Sequence, residues 1–210
     1  MQSFFEYLVI VFLSYVFGSF PSAYLLLKAT QNKDIRKEGS GIVGTMNALE
    51  VSQSVFVGLS VLLLDIIKSI VCILICVYFF GSNFFVIFLS GIFLIIGHLF
   101  PLWLKFKGGR GLAVTAGIML MTAWIFIIVW VLFFSAVYLI RKNIHISNII
   151  ATILTPIFLF FVPDSILNLN IFSFNDKNQL LLFSVPVCFL LLLSHRDQIQ
   201  LILKGKKLNE

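Results

Sequence analysis

Charge is scarce in this sequence. Only 11% of its 210 residues are Asp, Glu, Lys or Arg, against 60% that are apolar, and the mean hydropathy is +1.07. A soluble domain carries about twice that share of charge, so most of this chain has lipid as its solvent. Cysteine is also sparse. Cys72, Cys76 and Cys188 lie inside apolar runs, and ligand pairs such as C-x-x-C are absent, so they read as small membrane residues that pack as hydrophobes. The three histidines stand apart at positions 98, 145 and 195, so neither a metal nor a cofactor is expected. A basic leader is missing as well: the first residues carry Glu6 and run apolar from Leu8 to Leu27, too long for a signal-peptide core. This segment is expected to stay attached as the first span.

What is present is apolar sequence in long runs, with 24 phenylalanines among them. Polar loops separate runs at about 4–29, 54–80, 84–104, 112–140, 146–163 and 178–194. The fourth is long enough to be either one steeply tilted helix or two short passes, and charge decides between them. At 1.5 Å per residue it would make a helix of about 43 Å, against a hydrocarbon core of roughly 30 Å. Cytoplasmic loops are enriched in Lys and Arg, and a reversal near Met121 to Trp124 puts every basic residue except Lys68 and Lys177 on one side. A single crossing would carry Arg141, Lys142 and the basic tail to the other face. The expected architecture is therefore an all-α integral membrane protein, a seven-transmembrane-helix bundle, with its N-terminus outside and its C-terminus cytoplasmic. Residues 1–210 are read as a single transmembrane domain. The net charge of +6 is then a topology signal that also favours membrane lipids of negative charge, and it calls for no nucleic-acid partner.

Two cytoplasmic loops have the makeup of anion sites. The first runs from Asp34 to Asn47 and sets Gly39, Gly41 and Gly44 beside Ser40 and basic groups. Glycines permit positive φ and close backbone approach, and successive amides leading into a helix can form a nest for phosphate. A flexible connector is the plain alternative. The second loop reads Lys105-Phe106-Lys107-Gly108-Gly109-Arg110-Gly111 and opens into a helix expected near Leu112. Lys107 and Arg110 can hold a phosphate or phosphoanhydride while the glycine amides contact its oxygens. The alternative is that these cations only anchor the loop at the membrane surface. Inside the membrane, Asp65 and Lys68 fall three apart on one helical face, a spacing that suits a structural ion pair, with a direct role at the site as the alternative. His98 stands before Pro101, and His195 opens a basic segment that, read alone, is an anchor.

Taken in order, Gly18-Ser19-Phe20-Pro21, Gly39-Ser40-Gly41, Gly44, Asn47, Asp65-Ile66-Ile67-Lys68, Gly97 to Pro101, Lys105 to Gly111 and His195-Arg196-Asp197 resemble the PlsY family of glycerol-3-phosphate acyltransferases. The resemblance covers nearly the whole chain. It implies a seven-helix bundle in the plasma (inner) membrane with its active face cytoplasmic. It also implies transfer of a fatty acyl group from acyl phosphate to the 1-hydroxyl of glycerol 3-phosphate, giving lysophosphatidic acid. The catalytic set it implies is Ser40, Lys107, Arg110 and His195, with Gly39, Gly41, Gly44, Asn47, His98, Gly108, Gly109 and Gly111 binding substrate. No H-x-x-x-x-D occurs, so the His/Asp pair of acyl-CoA-dependent glycerolipid acyltransferases is missing, and acyl transfer would depend on positioning and charge stabilisation. The chain departs from the family pattern at Ile42, Met46, Glu50 and Gln198. Those departures keep two alternatives open, a regulatory homologue without activity and acyl transfer to a different acceptor.

Overall fold

The computed structural model describes residues 2–163, 174 and 176–204. Most of the loop expected outside at 166–176, and the tail from Gly205 with Lys206 and Lys207, lie outside the described residues. Among the described residues every regular element is helical. Chain packing separates two compact units, Met1–Ile118 and Met119–Glu210.

The first unit begins with α1 (Phe4–Ser19), whose start is set by a capping box in which Ser3 and Glu6 bond each other's backbone amides. Pro21 has no N–H to continue the helix. The chain breaks there and resumes as α2 (Ser22–Gln31). The Phe20 carbonyl, at the break, is free to accept from side chains. A one-turn 3₁₀ segment (Ile35–Lys37) and the short α3 (Thr45–Ser52) follow. The long α4 (Val55–Phe80) and α5 (Phe84–Leu99) are each N-capped by a side chain, Ser54 and Asn83. A 3₁₀ turn (Leu102–Leu104) then leads through the second loop to α6 (Leu112–Thr122). Helix α1 lies along α5 at backbone contact. A Cβ on Gly18 would sit 2.1 Å from the Leu94 carbonyl oxygen, and one on Gly97 would sit 2.3 Å from that of Tyr15. Small residues at such a crossing let two membrane helices approach where no hydrophobic force drives them together.

The second unit comprises α7 (Trp124–Arg141), α8 (Ile144–Phe161), α9 (Lys177–Ser194) and α10 (Arg196–Leu203). Helices α7 and α8 pack together, joined by a hydrogen bond from Trp130 Nε1 to Thr152 Oγ1 at 3.1 Å, and α9 packs on α8.

Among the described residues, six helical stretches are long and apolar enough to cross a membrane: Phe4–Gln31, Val55–Phe80, Phe84–Leu104, Trp124–Arg141, Ile144–Phe161 and Lys177–Ser194. The run at 112–140 is divided, as expected, with the break at Ala123 (φ −159°, ψ 65°). Its first piece is shorter than a crossing. The 11 residues of α6 span about 16 Å, roughly half the hydrocarbon core. Neither Pro nor Gly marks the break; the excess length and the one-sided placement of Lys and Arg pointed to it.

Candidate active site

The first loop is built around one side chain. Asn47, on the first turn of α3, is 3% exposed. Its Nδ2 donates to the carbonyls of Ile35, Glu38 and Ile42 at 3.2, 3.2 and 3.0 Å, and its Oδ1 accepts from the Ser40 amide at 2.9 Å. Asn47, expected to bind substrate, is engaged by its own loop. Its hydrogen-bonding capacity is taken up by the loop, and its work is to hold Gly39 to Gly44 in shape. Gly39 and Gly41 have positive φ, and a Cβ on Gly39 would collide with Asn47 Oδ1 at 2.2 Å. Gly44 is extended and has open space where a side chain would go. Arg36 is likewise engaged. It forms a two-pronged pair with Asp34, Nη2 to Oδ2 at 2.7 Å and Nε to Oδ1 at 2.9 Å, and lies 4.9 Å from the centre of the Tyr24 ring. The hydrogen bond from Arg36 holds the Asp34 carboxyl down at about 2 and raises the guanidinium in turn. Ser40 is exposed at the tip, its hydroxyl touched only by the Ile42 amide at 3.5 Å.

The second loop is held by backbone. Gly108 and Gly109 donate their amides to the carbonyls of Leu99 and His98, each at 3.1 Å, at the end of α5. Those amides, expected to contact a ligand, are directed at the end of α5. The glycines are needed for a different contact: a Cβ on Gly108 would lie 2.0 Å from the His98 carbonyl oxygen, and one on Gly109 would lie 2.3 Å from His98 Nε2 and 2.6 Å from the Val43 carbonyl oxygen. Gly109→Ala therefore displaces the loop and is no clean probe of binding. Lys107 is exposed and Arg110 half-buried. Gly111, at φ 82°, accepts from the Thr115 amide at 2.8 Å and so opens α6. The Val43 amide donates to the Gly108 carbonyl at 3.3 Å, which ties the first loop to the second.

Beneath both loops lies the intramembrane pair. Asp65 and Lys68 are 2% and 8% exposed and bridge at 2.7 Å, as the spacing on α4 implied. Ser22 Oγ donates to Asp65 Oδ1 at 2.8 Å. Lys68 Nζ also donates to the Phe20 carbonyl at 3.0 Å and contacts His98 Nδ1 at 3.2 Å. The ring of His98 is thus a support under the loop, occupied on one nitrogen, where a direct substrate contact was expected. Sequence reasoning missed Ser22, Val43 and the Phe20 carbonyl. The Pro21 break signalled the last, while the other two depend on packing that periodicity does not show.

His195 belongs to the second unit, at the bend between α9 and α10, and is 1% exposed. Its Nδ1 lies 2.9 Å from the Leu191 carbonyl and 3.1 Å from Ser194 Oγ.

The helices and loops of the first unit define a polytopic membrane protein with two glycine-bearing, cation-flanked loops bonded edge to edge at the end of its spans. The chain belongs to the glycerol-3-phosphate acyltransferase family, whose sequence model matches residues 8–205. A glycerol-3-phosphate acyltransferase of Bartonella quintana is 39% identical over 158 residues, 72% of each chain. The crystal structure of PlsY, an integral membrane glycerol 3-phosphate acyltransferase, in its glycerol 3-phosphate form superposes with a TM-score of 0.77 at 25% identity, covering 97% of this chain and 95% of that one. Its lysophosphatidic acid form matches in fold, with a TM-score of 0.76 at 24% identity over 97% and 94% of the chains.

Proposed function

We propose that this chain transfers a fatty acyl group from acyl phosphate to the 1-hydroxyl of glycerol 3-phosphate, giving lysophosphatidic acid and inorganic phosphate. Membership of the family over nearly the whole length carries this conclusion, and the joined loops give it a site. The exposed Ser40 hydroxyl, the first-loop backbone, the cations Lys107 and Arg110 and the Gly111 backbone hold the phosphates of the two substrates close together. The 1-hydroxyl oxygen attacks the acyl carbon and forms the ester bond as the bond from acyl carbon to phosphate oxygen breaks. The hydroxyl proton passes to a phosphate oxygen of the substrates. Lys107 and Arg110 stabilise the charge that gathers on the leaving phosphate. His195 is proposed as a further catalytic residue, to be tested on its own by His195→Ala.

The proposed setting is the plasma membrane. The chain works as one domain whose seven membrane helices are the six long stretches and the shorter α6, with the N-terminus outside, both loops cytoplasmic, and acyl phosphate and membrane lipids as its further partners. A cysteine at 82–83 should react with an impermeant reagent from outside and one at 31–38 should not; the reverse pattern overturns the orientation.

Purified protein in lipid, given acyl phosphate and glycerol 3-phosphate, should release lysophosphatidic acid and phosphate in equal amounts, and absence of product overturns the proposal. One observation favours a second acceptor. Met46 and Glu50 lie one turn apart on the exposed face of α3, and Glu50 repels a phosphate monoester. A panel of phosphorylated and neutral alcohols decides between the two.

A further inference from the structure

We propose that Lys68, held by Asp65, Ser22 and the Phe20 carbonyl, is a positioning residue for the loop from Lys107 to Gly111 and acts on it through His98. An ammonium group has three protons and no acceptor. Here three acceptors surround it, Asp65 Oδ1 at 2.7 Å, the Phe20 carbonyl at 3.0 Å and His98 Nδ1 at 3.2 Å. Because lysine can only donate, His98 Nδ1 must accept, which places the ring proton on Nε2. Nε2 is the atom against which Gly109 rests. Lys68 therefore selects both the tautomer and the tilt of the ring that sets the height of the loop. The backbone of the same residue reinforces this, since the His98 carbonyl accepts from the Gly109 amide. The Gly108 carbonyl passes the position on to Val43 in the first loop.

Two observations separate this role from a direct one and from a plain structural pair. The cavity lined by Ser19, Ser22, Asp65, His98, Gly108 and Gly109 has about 10 Å³ of water-accessible space, near the minimum for one water molecule. No substrate phosphate fits there, so Lys68 and Asp65 stand behind the site. A buried ion pair serving stability alone is often replaced by apolar residues without loss. The third donor of Lys68, spent on His98, adds nothing to such a pair and serves to orient the ring.

This inference rests on the acyl-transfer function proposed above, and the test keeps the two apart. Lys107→Ala is measured first, with both substrates titrated; the substrate whose KM rises is the ligand of the second loop, and no rise for either overturns the site itself. The double variant Asp65→Asn, Lys68→Met then removes both charges together and leaves no lone charge buried. We expect the same KM to rise roughly tenfold, which is about 1.4 kcal/mol of binding, with the other KM within about twofold and the unfolding temperature in detergent not lowered. His98→Phe, which leaves the ion pair in place and keeps a ring but removes the acceptor, should do likewise. His98→Asn, whose Oδ1 can accept from Lys68, should recover part of the loss. Unchanged KM values in the double variant beside a raised value in Lys107→Ala overturn the inference while leaving the site standing. A lowered unfolding temperature with unchanged kinetics overturns it too. If the double variant does not insert, His98→Phe decides by the same criterion.

Discussion

The two loops do the same work with opposite construction. The first is held from within by one side chain, Asn47, which bonds three carbonyls and one amide. The second has no such staple; its glycine amides bond the carbonyls at the end of α5, and its backbone lies directly on the His98 ring. A loop stapled by a side chain fails when that side chain is lost. A loop seated on backbone fails when any side chain is gained.

The largest expected effect breaks the second construction. In Gly108→Ala the new Cβ meets two fixed backbone oxygens, of His98 at 2.0 Å and Leu99 at 2.7 Å. Acyl transfer should fall about a hundredfold or more, roughly 3 kcal/mol of lost transition-state stabilisation, together with a lower unfolding temperature. Recovery of near-normal rates would show that the loop has slack the geometry denies. Breaking the first construction comes next. Asn47→Ala leaves buried polar groups without partners at about 1–3 kcal/mol each, so thermal unfolding should shift down and activity should fall with it. If activity falls while stability is untouched, Asn47 binds substrate after all.

Ser40 sharpens the comparison, since it is carried by the stapled loop without being part of the staple. Ser40→Ala should weaken acceptor affinity about ten- to hundredfold, the worth of a hydrogen bond to a charged group, with unfolding unchanged. Ser52, at the far end of α3, is no control for it. Its hydroxyl bonds the Leu49 and Ser54 carbonyls and accepts from the Ser54 amide. Thr30, exposed and bonded only to the Leu26 carbonyl, is the better choice, and equal effects at the two positions would remove Ser40 from the site. Glu50→Arg should raise acceptor affinity several-fold, since exposed charge contributes about 0.2–1 kcal/mol per pair. No gain with glycerol 3-phosphate would favour a different acceptor.

The smallest effect concerns acid. With its carboxyl held down at about 2 against an ordinary 3.8, the Asp34–Arg36 pair adds stability above about pH 4 that is lost as the pH falls toward 2. Asp34→Asn should therefore unfold with the same pH dependence as the parent between pH 5 and 8. It should differ slightly only in strong acid, since solvent screens so exposed a pair. A difference near neutral pH would show that Arg36 has work beyond this pair.

Several of these features were legible in the residues themselves. Long apolar runs must be helices in lipid because no other open backbone satisfies its own hydrogen bonds there. The excess length of 112–140 and the one-sided placement of Lys and Arg indicated an interruption, and one occurs at Ala123. The spacing of Asp65 and Lys68 foretold their pair because residues three apart share a helical face. The glycines of both loops were singled out for close backbone approach, and the approaches they make are to their own chain. Composition shows that a backbone must approach something closely and is silent on what that is. Only the tertiary structure decided that Gly109 meets His98, that Asn47 is consumed by its own loop and that α6 stops at half a span. The first two are set by how each loop folds back on itself or onto the end of α5, and no local propensity encodes them.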